Sequence, residues 1–132
     1  MTRFVIEPGV ALALAETRAV VPKHHRLLAP TLLRSQVLAA LYSQVGRGEL
    51  TRGEASSHLD YLRGLQLRLL GDRVLQRVAW DIALSLGWKD TFVAEYLALT
   101  KLQADALVTS SAELAASARE VVPVATITEL LA

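Results

Sequence analysis

Few side chains in this sequence could do chemistry, and none of them forms a known catalytic motif. The chain has no glycine-rich nucleotide loop, no G-x-S-x-G elbow and no H-E-x-x-H pair. It also has no cysteine, which excludes disulfide scaffolds, thiolate metal sites and cysteine nucleophiles. Nucleotide-cofactor enzymes and serine hydrolases therefore lack their signatures, and a flavodoxin-like small-molecule binder lacks its phosphate loop.

Glu7 and Gln36 are the two polar residues whose positions suggest a site. Glu7 ends a short run of β-forming residues, and we predict that this strand is central and buried. Gln36 follows Leu33 at i+3 and precedes Ala40 at i+4, so its amide faces the core or a pocket and needs partners. Two interpretations remain open: a solvated strand end with a satisfied core amide, or two members of one binding site.

His24 and His25 are adjacent, so their side chains point in different directions on any regular element. A metal site would need further ligands. We predict a solvated loop pair, with a ligand or phosphate contact as the alternative.

The hydrophobic pattern predicts short apolar strands separated by helices. The predicted strands span residues 3–7, 19–22, 65–70, 106–109 and 121–124. The predicted helices span residues 10–17, 30–46, 51–64, 72–86, 91–99 and 110–118, with a further helix start at 126. Three S/T-x-x-E capping boxes mark helix starts, at Thr51, Ser110 and Thr126. Pro123 suggests that the last strand lies at an edge.

This alternation predicts a single α/β domain over residues 1–132, built on a mostly parallel sheet of four or five short strands covered on both faces. In such sheets the ligand crevice lies beyond the carboxyl ends of the strands. Glu7, after the first strand, and Thr109, Ser110 and Ser111, after the fourth, are therefore the residues expected to line it.

Composition limits the possible partners. The 14 Lys and Arg residues against 13 Asp and Glu residues leave a net charge of +1, so any nucleic-acid contact must be local. Aromatic residues make up only 5%, which disfavours a base-stacking platform. Glu7 and Pro8-Gly9 interrupt the only stretch similar to a signal peptide, and no apolar run reaches membrane-spanning length. We expect a cytoplasmic protein without a membrane segment.

Several strings, in this order, resemble the PIN-domain family and, within it, the VapC-like toxins of bacterial toxin–antitoxin pairs. The strings are Phe4-Val-Ile-Glu7, the run from Ala29 to Leu41, Gly48-Glu-Leu-Thr51, the run from Phe92 to Leu99, Leu107-Val-Thr109 and Pro123-Val-Ala-Thr126. The resemblance covers nearly the whole chain and implies a three-layer α/β/α fold. It also implies a metal-dependent endoribonuclease that uses Mg²⁺ or Mn²⁺ held by an acidic cluster, and a small antitoxin as partner.

The acidic positions of that family are mostly replaced here. The resemblance places Glu7 where the family has Asp, Gln36 where it has Glu, and Val93 and Ser111 where it has Asp. One carboxylate therefore remains beside an amide, an apolar side chain and a hydroxyl, a set that holds a hard divalent cation poorly.

Two functions follow from this departure. In the first, Glu7 and a substitute carboxylate from Asp90 hold the metal, Gln36 and Ser111 complete the site, and RNA is cleaved. In the second, the site binds no metal, catalysis is weak or lost, and the protein is an interaction module that binds an antitoxin-like partner or RNA. Ala- and Leu-rich helices suit such a partner and also favour a homodimer. The basic residues singled out for RNA contact are Lys23, Arg26, Arg34, Arg47 and Arg52.

Overall fold

Strands and helices alternate along the chain in the computed structural model, which describes residues 1–132. In chain order the elements are β1 (Thr2–Ile6), α1 (Pro8–Thr17), β2 (His25–Pro30), α2 (Leu33–Gly46), α3 (Arg52–Gly64), β3 (Leu67–Leu70), α4 (Arg73–Leu86), α5 (Phe92–Gln103), β4 (Ala106–Val108), α6 (Ala112–Ala118), β5 (Val124–Ala125) and α7 (Ile127–Leu131). None of these helices combines the length and apolar composition needed to cross a membrane.

The five strands form one parallel sheet in the order β3-β2-β1-β4-β5. The predicted fold class is therefore confirmed. β1 is the central strand, as predicted, and its Val5 and Ile6 are fully buried because helices cover both faces of the sheet. β5 lies at an edge, as Pro123 before it suggested.

The helices form two layers, one on each side of the sheet. α1, α2 and α3 contact one another, whereas α4 packs against α5, which lies across β1, β2 and β4. Right-handed crossovers explain this division, because the chain moves from β1 to β3 in one direction and to β4 and β5 in the other.

The second predicted strand was misplaced. Residues 19–22 form no strand, and β2 begins at His25 instead. The four residues from Leu27 to Pro30 are all buried, as an inner parallel strand requires, whereas Val20 is exposed. Pro30 therefore ends β2 and does not open α2, which begins at Leu33.

The last predicted strand and one predicted cap were also displaced. Val121 and Val122 still donate backbone hydrogen bonds to the carbonyl of Ala118 at the end of α6, so β5 begins only at Val124. α6 is capped by Ser111, whose Oγ accepts from the backbone N–H of Leu114 at 3.2 Å, and not by Ser110. The capping boxes at the starts of α3 and α7 form as predicted.

Candidate functional site

The direction of the strand order reverses between β1 and β4, which places a crevice beyond their carboxyl ends. Ile6 is paired in register with Val108, so Glu7 and Thr109 leave the sheet at the same level. The chain continues from these two residues towards α1 and α6, respectively. The structure therefore places the first and fourth strand ends next to each other, as the sequence predicted.

Glu7 occupies the centre of this edge and caps α1. Its Oε1 accepts a hydrogen bond from the backbone N–H of Val10 at 2.7 Å. Burial raises the pKa of the Glu7 carboxyl, and backbone hydrogen bonds from Val10 and Gly9 only partly oppose this. A Cβ at Gly9 would lie 2.9 Å from Glu7 Oε1, so any larger residue there would displace the Glu7 carboxyl from its present position.

Gln36 belongs to the same end of the molecule through Tyr96. The Tyr96 hydroxyl, on α5, donates to Gln36 Oε1, on α2, at 2.6 Å. Gln36 is half-buried and Tyr96 is buried, so this bond satisfies both polar groups. The sequence predicted that the Gln36 amide needs a hydrogen-bond partner. That partner is Tyr96, which the sequence did not identify.

Glu95 is a further member of the site that sequence reasoning missed. Burial raises the pKa of the Tyr96 hydroxyl, and the negative charges of Glu7 and Glu95 raise it further, so the hydroxyl stays a donor. Burial also raises the pKa of the half-buried Glu95. Only the burial of Glu95 distinguishes it from other acids, and burial of a single acid is not visible in sequence.

Ser111 and Thr109 shape the neighbouring turn. The Thr109 hydroxyl accepts from the backbone N–H of Ser111 at 3.1 Å, and Thr109 itself is buried. Ser111 is exposed, and its hydroxyl is engaged as the cap of α6. Both side chains therefore already have local hydrogen-bond partners.

Asp90 and Val93 lie at the start of α5. Asp90 is exposed, and its Oδ1 accepts from the backbone N–H of Phe92 at 3.2 Å. Val93 is 37% exposed and Phe92 is 51% exposed, so the first turn of α5 presents an apolar surface where the sequence resemblance implied an acid.

These residues do not fit a divalent magnesium or manganese ion. Nowhere in the protein do three His, Asp or Glu side chains come together in a group that could hold one. At the candidate positions an oxygen of each polar side chain is engaged: Glu7 with Val10, Gln36 with Tyr96, Ser111 with Leu114 and Asp90 with Phe92. Mg²⁺ favours carboxylates and keeps several waters, and this edge offers two half-buried carboxyls, Glu7 and Glu95, whose charged forms burial disfavours. The arrangement is instead suited to exchanging hydrogen bonds with a ligand or a partner chain.

Two solved structures share this architecture. One is the crystal structure of PAE2754 from Pyrobaculum aerophilum, which matches with a TM-score of 0.78 at 22% identity, over 98% of this chain and 93% of that one. The other is VapBC2 from Rickettsia felis, bound to a DNA fragment from its promoter, with a TM-score of 0.68 at 8% identity, over 94% of this chain and 98% of that one. The fold is PIN-like. No protein-family model and no curated protein matches the sequence.

The PIN-like fold explains where the crevice lies, but it does not determine the chemistry of the crevice, because function depends on the site and not on the fold. Glu7, Gln36 and Tyr96 meet at the carboxyl edge of the sheet. Asp90 is engaged at the first turn of α5, and the structure brings it into no group of acids with Glu7.

Proposed function

We propose that this protein is a VapC-like member of the PIN-fold toxin family in which metal-dependent RNA cleavage is weak or lost, and that it acts by binding a small antitoxin-like protein. The observation behind this proposal is that the crevice brings only two carboxyls together, Glu7 and Glu95, and that an oxygen of each candidate ligand named from the sequence is engaged in an internal hydrogen bond. Breaking those bonds to free ligands would add to the free energy needed to hold a cation.

An apolar groove at the β3 edge of the sheet supports the binding half of this proposal. A cavity of about 530 Å³ lies between α2, α3 and β3, and eight of its ten lining residues are hydrophobic, among them Leu38 and Leu62. Arg34 and Arg63 lie on its wall, and of the two only Arg34 is without an ion pair, because Arg63 is paired with Asp60. An amphipathic partner segment with acidic residues beside its apolar face would complement this groove in shape and charge.

The metal half is tested by calorimetric titration of Mn²⁺ into the wild type and into a variant with the acids restored. That variant combines Glu7→Asp, Gln36→Glu, Val93→Asp and Ser111→Asp. We expect no saturable binding to the wild type and a gain of binding in the restored variant, because four carboxylates supply the missing negative charge.

RNA cleavage is measured on the same proteins. The wild type should cleave slowly or not at all, with Glu7→Ala as the control for contaminating nuclease. Micromolar Mn²⁺ binding by the wild type, with RNA cleavage that Glu7→Ala abolishes, would contradict the proposal.

The partner half is tested by co-expression with the small proteins encoded next to this chain. We expect one of them to copurify, and Leu38→Asp in the groove to release it because a charge there stays desolvated in the complex. Val74→Asp, at another exposed apolar residue on α4, is the matched control and should retain the partner. If the protein purifies alone after co-expression with each of these small proteins, the proposal that it binds an antitoxin-like partner is wrong.

A further inference from the structure

Three arginines lie on one face of the sheet, at the end opposite the crevice. Arg3 on β1 is paired in register with Arg26 on β2, and residues paired in a parallel sheet point to the same face. Leu28 follows Arg26 by two residues and pairs with Arg68 on β3, so Arg68 shares that face. Like charges on neighbouring strands destabilise a sheet unless something compensates them.

No acidic side chain compensates these cations. The two ion pairs of the protein are Arg47 with Glu49 and Arg63 with Asp60. Asp105 accepts from the backbone N–H of Arg3 at 2.8 Å but makes no ion pair with its guanidinium.

The guanidinium groups line an open cavity of about 520 Å³. Arg3, Arg26 and Arg68 all contribute to its wall, and no acidic residue does. Arg26 donates only to the sulfur of Met1, at 3.1 Å, so most of the guanidinium donors are free to bind an anion.

A second cavity, of about 770 Å³, adjoins this one at the amino-terminal end of β2 and shares Arg26, Leu27 and Gln66 with it. It lies on the opposite face of the sheet, because it is lined by Arg18 at the end of α1, by residues of α3 and by His25, whose ring packs against Phe4 on that face. Its one acidic residue, Asp60, is paired with Arg63, so no free acid borders the three arginines from that side.

We propose that the cavity lined by Arg3, Arg26 and Arg68 binds the phosphates of single-stranded nucleic acid. The three cations lie on three neighbouring strands, so they match a row of phosphates better than one isolated anion. They line a concave surface, which a flexible single strand can follow. A net charge of +1 provides no general attraction for polyanions, so binding depends on this local group.

This site is separate from the crevice, although its cavity shares Leu67 with the apolar groove. It lies where β1, β2 and β3 carry their amino-terminal residues, whereas the crevice lies beyond the carboxyl ends of β1 and β4. None of the three arginines lines the groove, so failure of the test below leaves the metal and partner experiments unaffected.

Fluorescence anisotropy with a labelled oligouridylate tests the proposal. The variant combines Arg3→Gln, Arg26→Gln and Arg68→Gln, all at exposed positions where the core is untouched. The control combines Arg73→Gln, Arg77→Gln and Arg119→Gln, which are also exposed and change the net charge equally. We expect the first variant to lose at least about tenfold in affinity, and the slope of log affinity against log salt to shrink by about 2, since each lost phosphate contact contributes about 0.7.

The control variant should bind within about twofold of the wild type, because it leaves the local contacts intact. Equal losses of affinity in the two variants would overturn the proposal, since they would show that binding depends on net charge alone. Absence of oligouridylate binding would overturn it too, as would equally tight binding of inorganic phosphate or of a duplex.

Discussion

At the residue scale, the main polar side chains of the crevice have hydrogen-bond partners within the protein. Gln36 accepts from Tyr96, and Glu7 accepts from the backbone at the start of α1. A glutamine in place of a glutamate removes a charge that would repel Glu7 and Glu95 across Tyr96. The observed residues therefore stabilise the fold better than they would stabilise a bound cation.

The pH dependence of stability should reveal the burial of Glu7. Because its folded pKa is raised above the ordinary value of 4.5, the folded protein keeps a proton there that the unfolded chain releases. The contribution of Glu7 to stability should therefore fall as pH rises from the ordinary pKa through the raised one. Glu7→Gln keeps an acceptor for Val10 but cannot titrate, so its stability relative to the wild type should improve over that window.

The measurement is a series of urea unfolding curves from about pH 2 to about pH 8, which covers the range below the ordinary carboxyl pKa as well as above it. Glu54 provides a comparison of opposite sign, because hydrogen bonds from Thr51 lower its pKa. Its contribution is present above the ordinary pKa and is lost as pH falls. Glu54→Gln should therefore lose stability relative to the wild type as pH rises, and parallel trends in the two variants would contradict this assignment.

His25 is the residue whose replacement should stabilise the protein. Both of its ring nitrogens are buried without a hydrogen-bond partner, and the ring packs edge-on against Phe4 with centroids 5.0 Å apart. His25→Phe keeps that aromatic contact and removes the unsatisfied groups, so we expect about 1 kcal/mol of added stability by urea unfolding. His24→Phe, at the exposed neighbour, should leave stability nearly unchanged. Destabilisation by His25→Phe would indicate an unrecognised partner for the ring.

At the element scale, capping residues determine where most helices begin. Thr51, Asp72 and Thr126 each accept the backbone N–H of the residue three positions later, and the spacing predicted the caps at Thr51 and Thr126. The start of α6 differs by one residue because Ser110 and Ser111 are both able to cap, and the sequence pattern favoured the one with Glu113 three residues later. The exit of β4 into the turn selects Ser111, whose backbone N–H bonds Thr109.

The two serines can be distinguished by substitution. Ser111→Ala should reduce the free energy of unfolding by about 1 kcal/mol, because the N–H of Leu114 loses its acceptor. Ser110→Ala should change it by less than about 0.5 kcal/mol, as expected of an exposed residue outside the cap. Chemical denaturation of both variants under the same conditions makes the comparison. A larger loss of unfolding free energy for Ser110→Ala would contradict the structure and indicate that the predicted Ser110–Glu113 capping box forms instead.

At the scale of the whole molecule, the fold separates two chemistries along the strand direction. The half-buried carboxyls Glu7 and Glu95 lie at the carboxyl edge, and unpaired arginines lie at the amino edge. The net charge of +1 does not reveal this separation, because acidic and basic residues are mixed along the sequence and are separated only when the chain folds. A parallel sheet makes the separation possible because all five strands point the same way.

The exposed face of α4 favours self-association. Trp80 is 67% exposed and Leu84, one helical turn later, is 73% exposed. We expect a homodimer that sedimentation velocity detects, and Trp80→Ser with Leu84→Ser should shift it to monomer. Tyr42→Ser, at an equally prominent residue of α2, is the control and should leave the dimer intact. A wild type that sediments as a monomer would contradict this prediction.

The sequence by itself determined the order of the elements, the parallel sheet and the place of Glu7. Those features depend on local propensity and periodicity, which neighbouring residues establish among themselves. It failed at β2, where two apolar runs, residues 19–22 and 27–30, competed and only pairing with β1 and β3 could select the second.

Only the tertiary structure decided which polar groups meet. Tyr96 lies 60 residues from Gln36 in sequence, and Arg3 lies 23 residues before Arg26 and 65 before Arg68, yet folding brings each set together. Nothing in a local pattern encodes such contacts, because they depend on strand order and register across the sheet. The partner of Gln36, the burial of Glu95 and the arginine cavity are therefore properties of the folded chain.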